Sequence, residues 1–232
     1  MNRVLSAARL HLAHPLVVLG VPWMIASIAF ATNLAIWGLA DLDAQAGEDN
    51  TGGLASLYIT MIVVFVQTVT QVFPFAMGLS LSRRTYYAGT ALAALAQSLL
   101  FGIALTALTA IENATGGWGV GLDFWAPGPI DVGNPALQLL VFTVPLVAAC
   151  FLGIGIGVVF KRWGANGIYA LSAVGLLAVG LTVVLVTWRE AWADVWTWLS
   201  DRSVESMTLG LPALLTLALA VATYIGLRRT VP

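Results

Sequence analysis

The chain has 232 residues, 59% of them hydrophobic and only 9% charged, with a formal net charge of −1. Mean hydropathy is +0.92, and a soluble core of this size would leave far more apolar surface in water than soluble proteins tolerate. The one cysteine, Cys150, excludes an intrachain disulfide and cannot seed a metal cluster; it reads as a small buried hydrophobe.

In lipid the backbone must satisfy its own hydrogen bonds, so only helices or a closed barrel cross a membrane. The apolar runs here are continuous rather than short and alternating, which excludes the barrel. The fold class is an all-α membrane protein, one transmembrane domain over residues 1–232.

Residues 1–14 form an arm ahead of Pro15, with Val4, Leu5, Ala8 and Leu12 on one helical face; this predicts a cytoplasmic interfacial helix. Arg3, Arg9 and Ala29-Phe30-Ala31 mimic a signal peptide, but the apolar run continues to Ala40 and reads as a first span. Six uncharged stretches follow one another: Pro15–Ala40, Leu54–Ser82, Thr85–Ile111, Val132–Phe160, Trp163–Trp188 and Ser206–Leu227. Each suffices for a crossing, which takes about 20 apolar residues. The loop Asp41–Gly53 reads as a solvated connection, and Glu112–Asn134, rich in Gly, Trp and Pro, as a cap over the outer mouth or a rest on headgroups. Between spans five and six, Trp188, Trp192, Val195, Trp196 and Leu199 share a face opposite Glu190, Asp194 and Asp201. An outer interfacial amphipathic helix is expected there.

The charges alternate along the chain. Arg3, Arg9, Arg83, Arg84, Lys161, Arg162, Arg228 and Arg229 occupy one set of segments. All the carboxylates occupy the other: Asp41, Asp43, Glu48, Asp49, Glu112, Asp123, Asp131, Glu190, Asp194, Asp201 and Glu205. Only Arg189 and Arg202 join them, and basic residues resist translocation, so both termini are expected in the cytoplasm of a multi-pass plasma (inner) membrane protein.

No Asp, Glu, Lys, Arg or His falls inside the six stretches, which argues against proton pumping and voltage sensing. Intramembrane metalloprotease and serine-protease chemistry lack their histidines, since His11 and His14 lie in the arm. No catalytic or metal-binding residue is expected on this chain. Asn134-Pro135-Ala136 spells an aquaporin-type tripeptide but occurs once, at the start of span four, and reads as a helix N-cap followed by Pro at the first helical position. Asn113-Ala114-Thr115 matches a glycosylation sequon and carries no weight. Thr60, Gln67, Gln71, Pro74 and Gly78 lie on one face of span two; this face lines a translocation path or dimer seam, or glues helices within the chain. Gly153 and Gly157 form a small-residue contact surface on span four.

The paired-Arg turn of Arg83-Arg84-Thr85-Tyr86-Tyr87, with Lys161-Arg162-Trp163-Gly164 as a second inner loop, resembles the coupling segments of ABC-2 type transporter permeases. The resemblance extends to the layout of six spans, interfacial arm and outer helix. It implies a permease subunit exporting a lipid, drug, peptide or other amphiphile, paired with a second copy or a close relative. Two cytoplasmic ATPase subunits would bind ATP and magnesium, because no Walker motif occurs here. The resemblance places Arg83, Arg84, Tyr86, Tyr87, Lys161 and Arg162 against the ATPase; lipids, not nucleic acid, are the other partners. Topology control by basic residues explains the same loops without an ATPase. Two further readings stay open: the six-span substrate-binding component of an energy-coupling importer, and a non-transporting anchor or assembly factor.

Overall fold

The structure is a computed structural model that describes residues 3–11, 15–40 and 52–229. Asn2, Leu12, His14 and the acidic segment with Asp41, Asp43, Glu48 and Asp49 lie outside the described residues.

Helix α1, Arg3–Leu10, is present as the sequence predicts. Ala7 and Ala8 are buried against α5 (Arg83–Ala114) while Leu5 is exposed. A small face was selected because α1 lies close on another helix: the first methyl carbon of any side chain at Gly89 would stand 2.6 Å from Ala7 Cβ. A wide π-turn, Leu16–Gly20, leads into α2, Val21–Ala40. Helix α3, Gly53–Gln67, passes through a second π-turn, Thr68–Val72, into α4, Phe73–Gly78. Ser82 starts α5 by accepting the Thr85 amide at 3.1 Å.

The fourth long helix, α6, spans Pro135–Trp188. Asn134 caps it, its Oδ1 accepting the amides of Ala136 and Leu137 at 2.9 and 3.2 Å, so Asn134-Pro135 is the helix start the sequence predicts. At 54 residues, a straight α6 would run about 80 Å, far beyond a bilayer. It is not straight. Gly164 takes φ 63° and ψ −152°, a conformation closed to side-chain-bearing residues. Across that break a side chain at Gly167 would stand 3.2 Å from the Val159 carbonyl, whereas eight residues of straight helix span about 12 Å. The expected loop between residues 160 and 163 is therefore a single non-helical glycine dividing one helix into two limbs. A turn with Glu190 at φ 52° then leads to α7, Trp192–Ser200, and the chain closes with α8, Leu211–Arg228.

Five helical segments among the described residues are long and apolar enough to cross a membrane: Leu16–Leu39, Gly53–Gly78, Arg83–Ala114, Pro135–Trp188 and Ser206–Arg228. The chain is a membrane-spanning, all-helical protein, with no strand among the described residues. Its core lies where α3, α5 and the first limb of α6 meet, around Leu57, Met61, Phe65, Phe101, Phe142 and Ile154. Gly153 faces the Ile62 carbonyl directly, and Gly157 lies 2.7 Å from Val69 by the same measure, so this surface is the α3–α6 crossing. Buried Gln97 ties the bundle together, donating to the Val18 carbonyl at 2.8 Å and reaching Met61 Sδ at 3.3 Å. Cys150 is buried beside Ser98, as a small hydrophobe should be. The second limb of α6 differs from everything before it. From Tyr169 to Leu185 its side chains are exposed throughout, Leu176 to 74%.

Candidate functional site

The basic segments meet at one end of the bundle. Arg83 reaches across to the end of α8, donating from Nη1 to the Arg228 carbonyl at 2.7 Å and the Leu227 carbonyl at 3.5 Å. A cation there satisfies orphan carbonyls and opposes the negative pole of the helix. Tyr87 donates to the Ala220 carbonyl at 2.7 Å and lies 3.0 Å from Thr223 Oγ1. Tyr86 is buried, donating to the Thr68 carbonyl at 2.9 Å with its ring 5.2 Å from Phe73. Three of the residues assigned to a partner surface thus have tasks inside the chain, and Tyr86 offers a partner no surface. Arg84 and Arg162 are exposed, the latter stacked at 4.6 Å over Trp163, and Lys161 is half-buried. Arg83→Ala should lower the detergent unfolding midpoint by the equivalent of about 1–2 kcal/mol, whereas Arg84→Ala should leave it unchanged.

Beside this end lies a cavity of about 360 Å³ lined by Leu10, His11, Val18, Gln67, Thr68 and Gln71, among others. Gln67 and Gln71 are exposed and share this wall as the sequence places them. Thr60, two turns further along α3, is buried and returns its hydroxyl to the Ser56 carbonyl at 2.7 Å. The expected stripe therefore divides into a pocket wall and a packing residue. His11 was not singled out by spacing. It is 5% exposed, with Nε2 3.1 Å from Thr90 Oγ1 and its ring 6.0 Å from that of Tyr86. Burial lowers its pKa from 6.5 to about 4.

That shift links α1 docking to pH. The neutral imidazole is held in the docked state, while an undocked ring protonates near 6.5. Docking is therefore fully favourable above that value, weakens as pH falls, and reaches its floor below about 4. The loss approaches about 3 kcal/mol. Amide exchange at Ala7–His11 should accelerate across that window, and His11→Phe should flatten the dependence.

At the opposite end the Glu112–Asn134 segment folds over the helices as a cap. Glu112, expected to open this outer loop, sits instead in the last turn of α5, 1% exposed. One carboxylate oxygen accepts Trp118 Nε1 at 2.7 Å and the Phe124 amide at 3.0 Å, and the other accepts the Trp125 amide at 3.1 Å. These donors offset the unfavourable placement of an acid near a helix C-terminus. Phe124 packs over Gly53, and Phe30 meets Trp118 and Phe124 edge-on at 4.9 and 5.2 Å. Asp131 accepts from Asn113 Nδ2 at 2.7 Å. The Gly, Trp and Pro content of the segment pointed to a cap or a headgroup rest; that Glu112 would gather it had no signal in the sequence.

Trp188, Trp192 and Trp196 are exposed at 76, 51 and 70%. They do not form one continuous helical face: Trp188 ends α6, and the turn through Glu190 separates it from α7. Trp192 bridges the turn by donating to Thr187 Oγ1 at 3.0 Å. Arg202 lies 4.9 Å over Trp198.

No cluster of potential metal ligands occurs among the described residues. The class these features define is a multi-pass helical membrane protein with a basic end, a capped opposite end and a lateral cavity. Comparison with protein-family models, curated proteins and solved structures finds no match.

Proposed function

We propose that the chain is the permease subunit of an ABC-2 type exporter, moving an amphiphile with energy from ATP hydrolysed on a separate cytoplasmic ATPase. The observation that carries this reading is the basic end. Two turns there present Arg84 and Arg162 to solvent, while neighbouring Arg83 and Tyr87 lock the same turn to α8. A push on the Arg84 turn would pass directly into α5 and α8. In this reading Gly164 is the second inner turn, the two limbs of α6 are separate crossings, the spans number six and both termini are cytoplasmic.

A second copy of the chain, or a close relative, completes the assembly. The second limb of α6 supports this: Gly175 and Gly180 have open space where a side chain would stand, and small residues on membrane helices serve close helix approach. No neighbour among the described residues makes that approach. Trp188, Trp192 and Trp196 then hold the outer interface.

Arg84→Glu with Arg162→Glu should reduce co-purification of the ATPase, and the ATP hydrolysis that depends on this chain, about ten-fold or more, with an unchanged unfolding midpoint. ATPase association unaffected by the double reversal would remove the basic end as a docking site and the reading with it.

A further inference from the structure

A groove between the first limb of α6 and α8 is apolar along its length and cationic at one end. The two helices run parallel: Gly155 faces Leu219 and Thr223, and one turn on Val158 faces Gly226. Between them lies a space of about 340 Å³ walled by Leu152, Ile156, Leu219, Ala222 and Ile225. Leu152 and Ile225 are exposed, so the groove opens on the flank of the bundle, where a membrane-spanning protein meets acyl chains.

Arg162 and Trp163 line the same groove, at its basic end, and no carboxylate does. The Arg162 guanidinium lies 4.6 Å over the Trp163 ring. Stacking holds its plane and covers one face, which leaves the N–H donors along its edge for an oxyanion. Arg229 is exposed and shares a helical face with Ala222 and Gly226, one turn beyond the groove wall. Arg228 instead turns to the other side of α8, 5.7 Å over Tyr224. Two cations thus stand at the end of an apolar slot with no acid beside them. A zwitterionic head would bring its ammonium there with nothing to receive it, whereas a net negative head is matched.

We propose that this groove binds an anionic phospholipid from the leaflet at the basic end. One acyl chain lies between Ile156 and Ala222, and the phosphate accepts from Arg162 with Arg229 beside it. Arg162 also belongs to the docking surface proposed above, but the lipid site needs neither ATP nor a partner subunit, so its failure and that of the exporter reading are separable.

The test uses the full chain, without an ATPase, in phosphatidylcholine nanodiscs carrying a trace of phosphatidylglycerol with a diazirine in its acyl chain. Photolabelling should map to peptides containing Leu152–Val159 and Leu219–Gly226. Unlabelled phosphatidylglycerol should compete. Diacylglycerol, which keeps the tails and lacks the phosphate, should compete about ten-fold more weakly, the equivalent of one charge-assisted hydrogen bond. Inorganic phosphate should not compete. Arg162→Gln should cut labelling about ten-fold, and Ala222→Trp, which fills the groove from an exposed position, should cut it with Arg162 intact. The proposal is overturned if diacylglycerol competes as well as phosphatidylglycerol, if inorganic phosphate displaces the label, if either variant labels like the parent, or if labelling maps elsewhere. Because the diacylglycerol comparison uses the unaltered protein, it decides the matter even if neither variant folds.

Discussion

Glu112→Ala should release the cap at the acidic end and lower stability by about 3–5 kcal/mol. Its carboxylate is the acceptor for Trp118 Nε1 and for the amides of Phe124 and Trp125. Truncation strands those donors beneath a cap whose Leu122, Phe124 and Trp125 are buried, and each stranded donor costs about 1–3 kcal/mol. Water entering the vacated space would recover part of that, which is why the expected loss is below the simple sum. Glu112→Gln keeps one acceptor oxygen but turns an NH₂ group toward other donors, so it should recover no more than half. The measurements are the unfolding midpoint in detergent, the tryptophan emission maximum and protease cleavage between residues 116 and 133. An unaltered midpoint and emission in Glu112→Ala would show that the cap is held by its aromatic packing alone.

Gly153→Leu should be comparably damaging through a different cause. Any Cβ at Gly153 meets the Ile62 carbonyl and stands 2.9 Å from Phe65 Cβ, so the obstacle includes backbone that cannot rotate away. Helix α6 must back off α3, opening the densest part of the core, at a cost of roughly 3 kcal/mol or more. Gly155 is the internal control. There a Cβ would stand 3.5 Å from Thr223 Cγ2, an ordinary contact, so Gly155→Ala should stay within about 0.5 kcal/mol of the parent. Equal effects of Gly153→Ala and Gly155→Ala on the unfolding midpoint would refute the close crossing.

The apolar segments were legible because lipid imposes length and hydropathy on any crossing helix, whatever its neighbours. The helix start at Asn134 was legible for a local reason: its cap is a pair of bonds to amides two and three residues on. Helix faces were less so. Val4, Leu5 and Ala8 share a stripe on α1, yet Ala8 is buried together with Ala7, outside that stripe, where the helix meets Gly89, while Leu5 stays exposed. Thr60 and Gln67 share a face on α3, yet one is buried and the other lines a cavity. In a membrane protein nearly every face is apolar, so periodicity does not say which one another helix will cover.

The sequence by itself determined the class, the apolar stretches and the segregation of basic from acidic segments, since each follows from the solvent and from local chain chemistry; it divided those stretches into six, where the described residues form five long helical segments. The tertiary structure alone decided what individual polar residues do. Arg83 closes the end of α8, Glu112 gathers a cap, and His11 keeps one ring nitrogen unused beside a cavity. Those roles depend on partners up to 145 residues away. Close packing creates such contacts, and no local pattern along the chain encodes them.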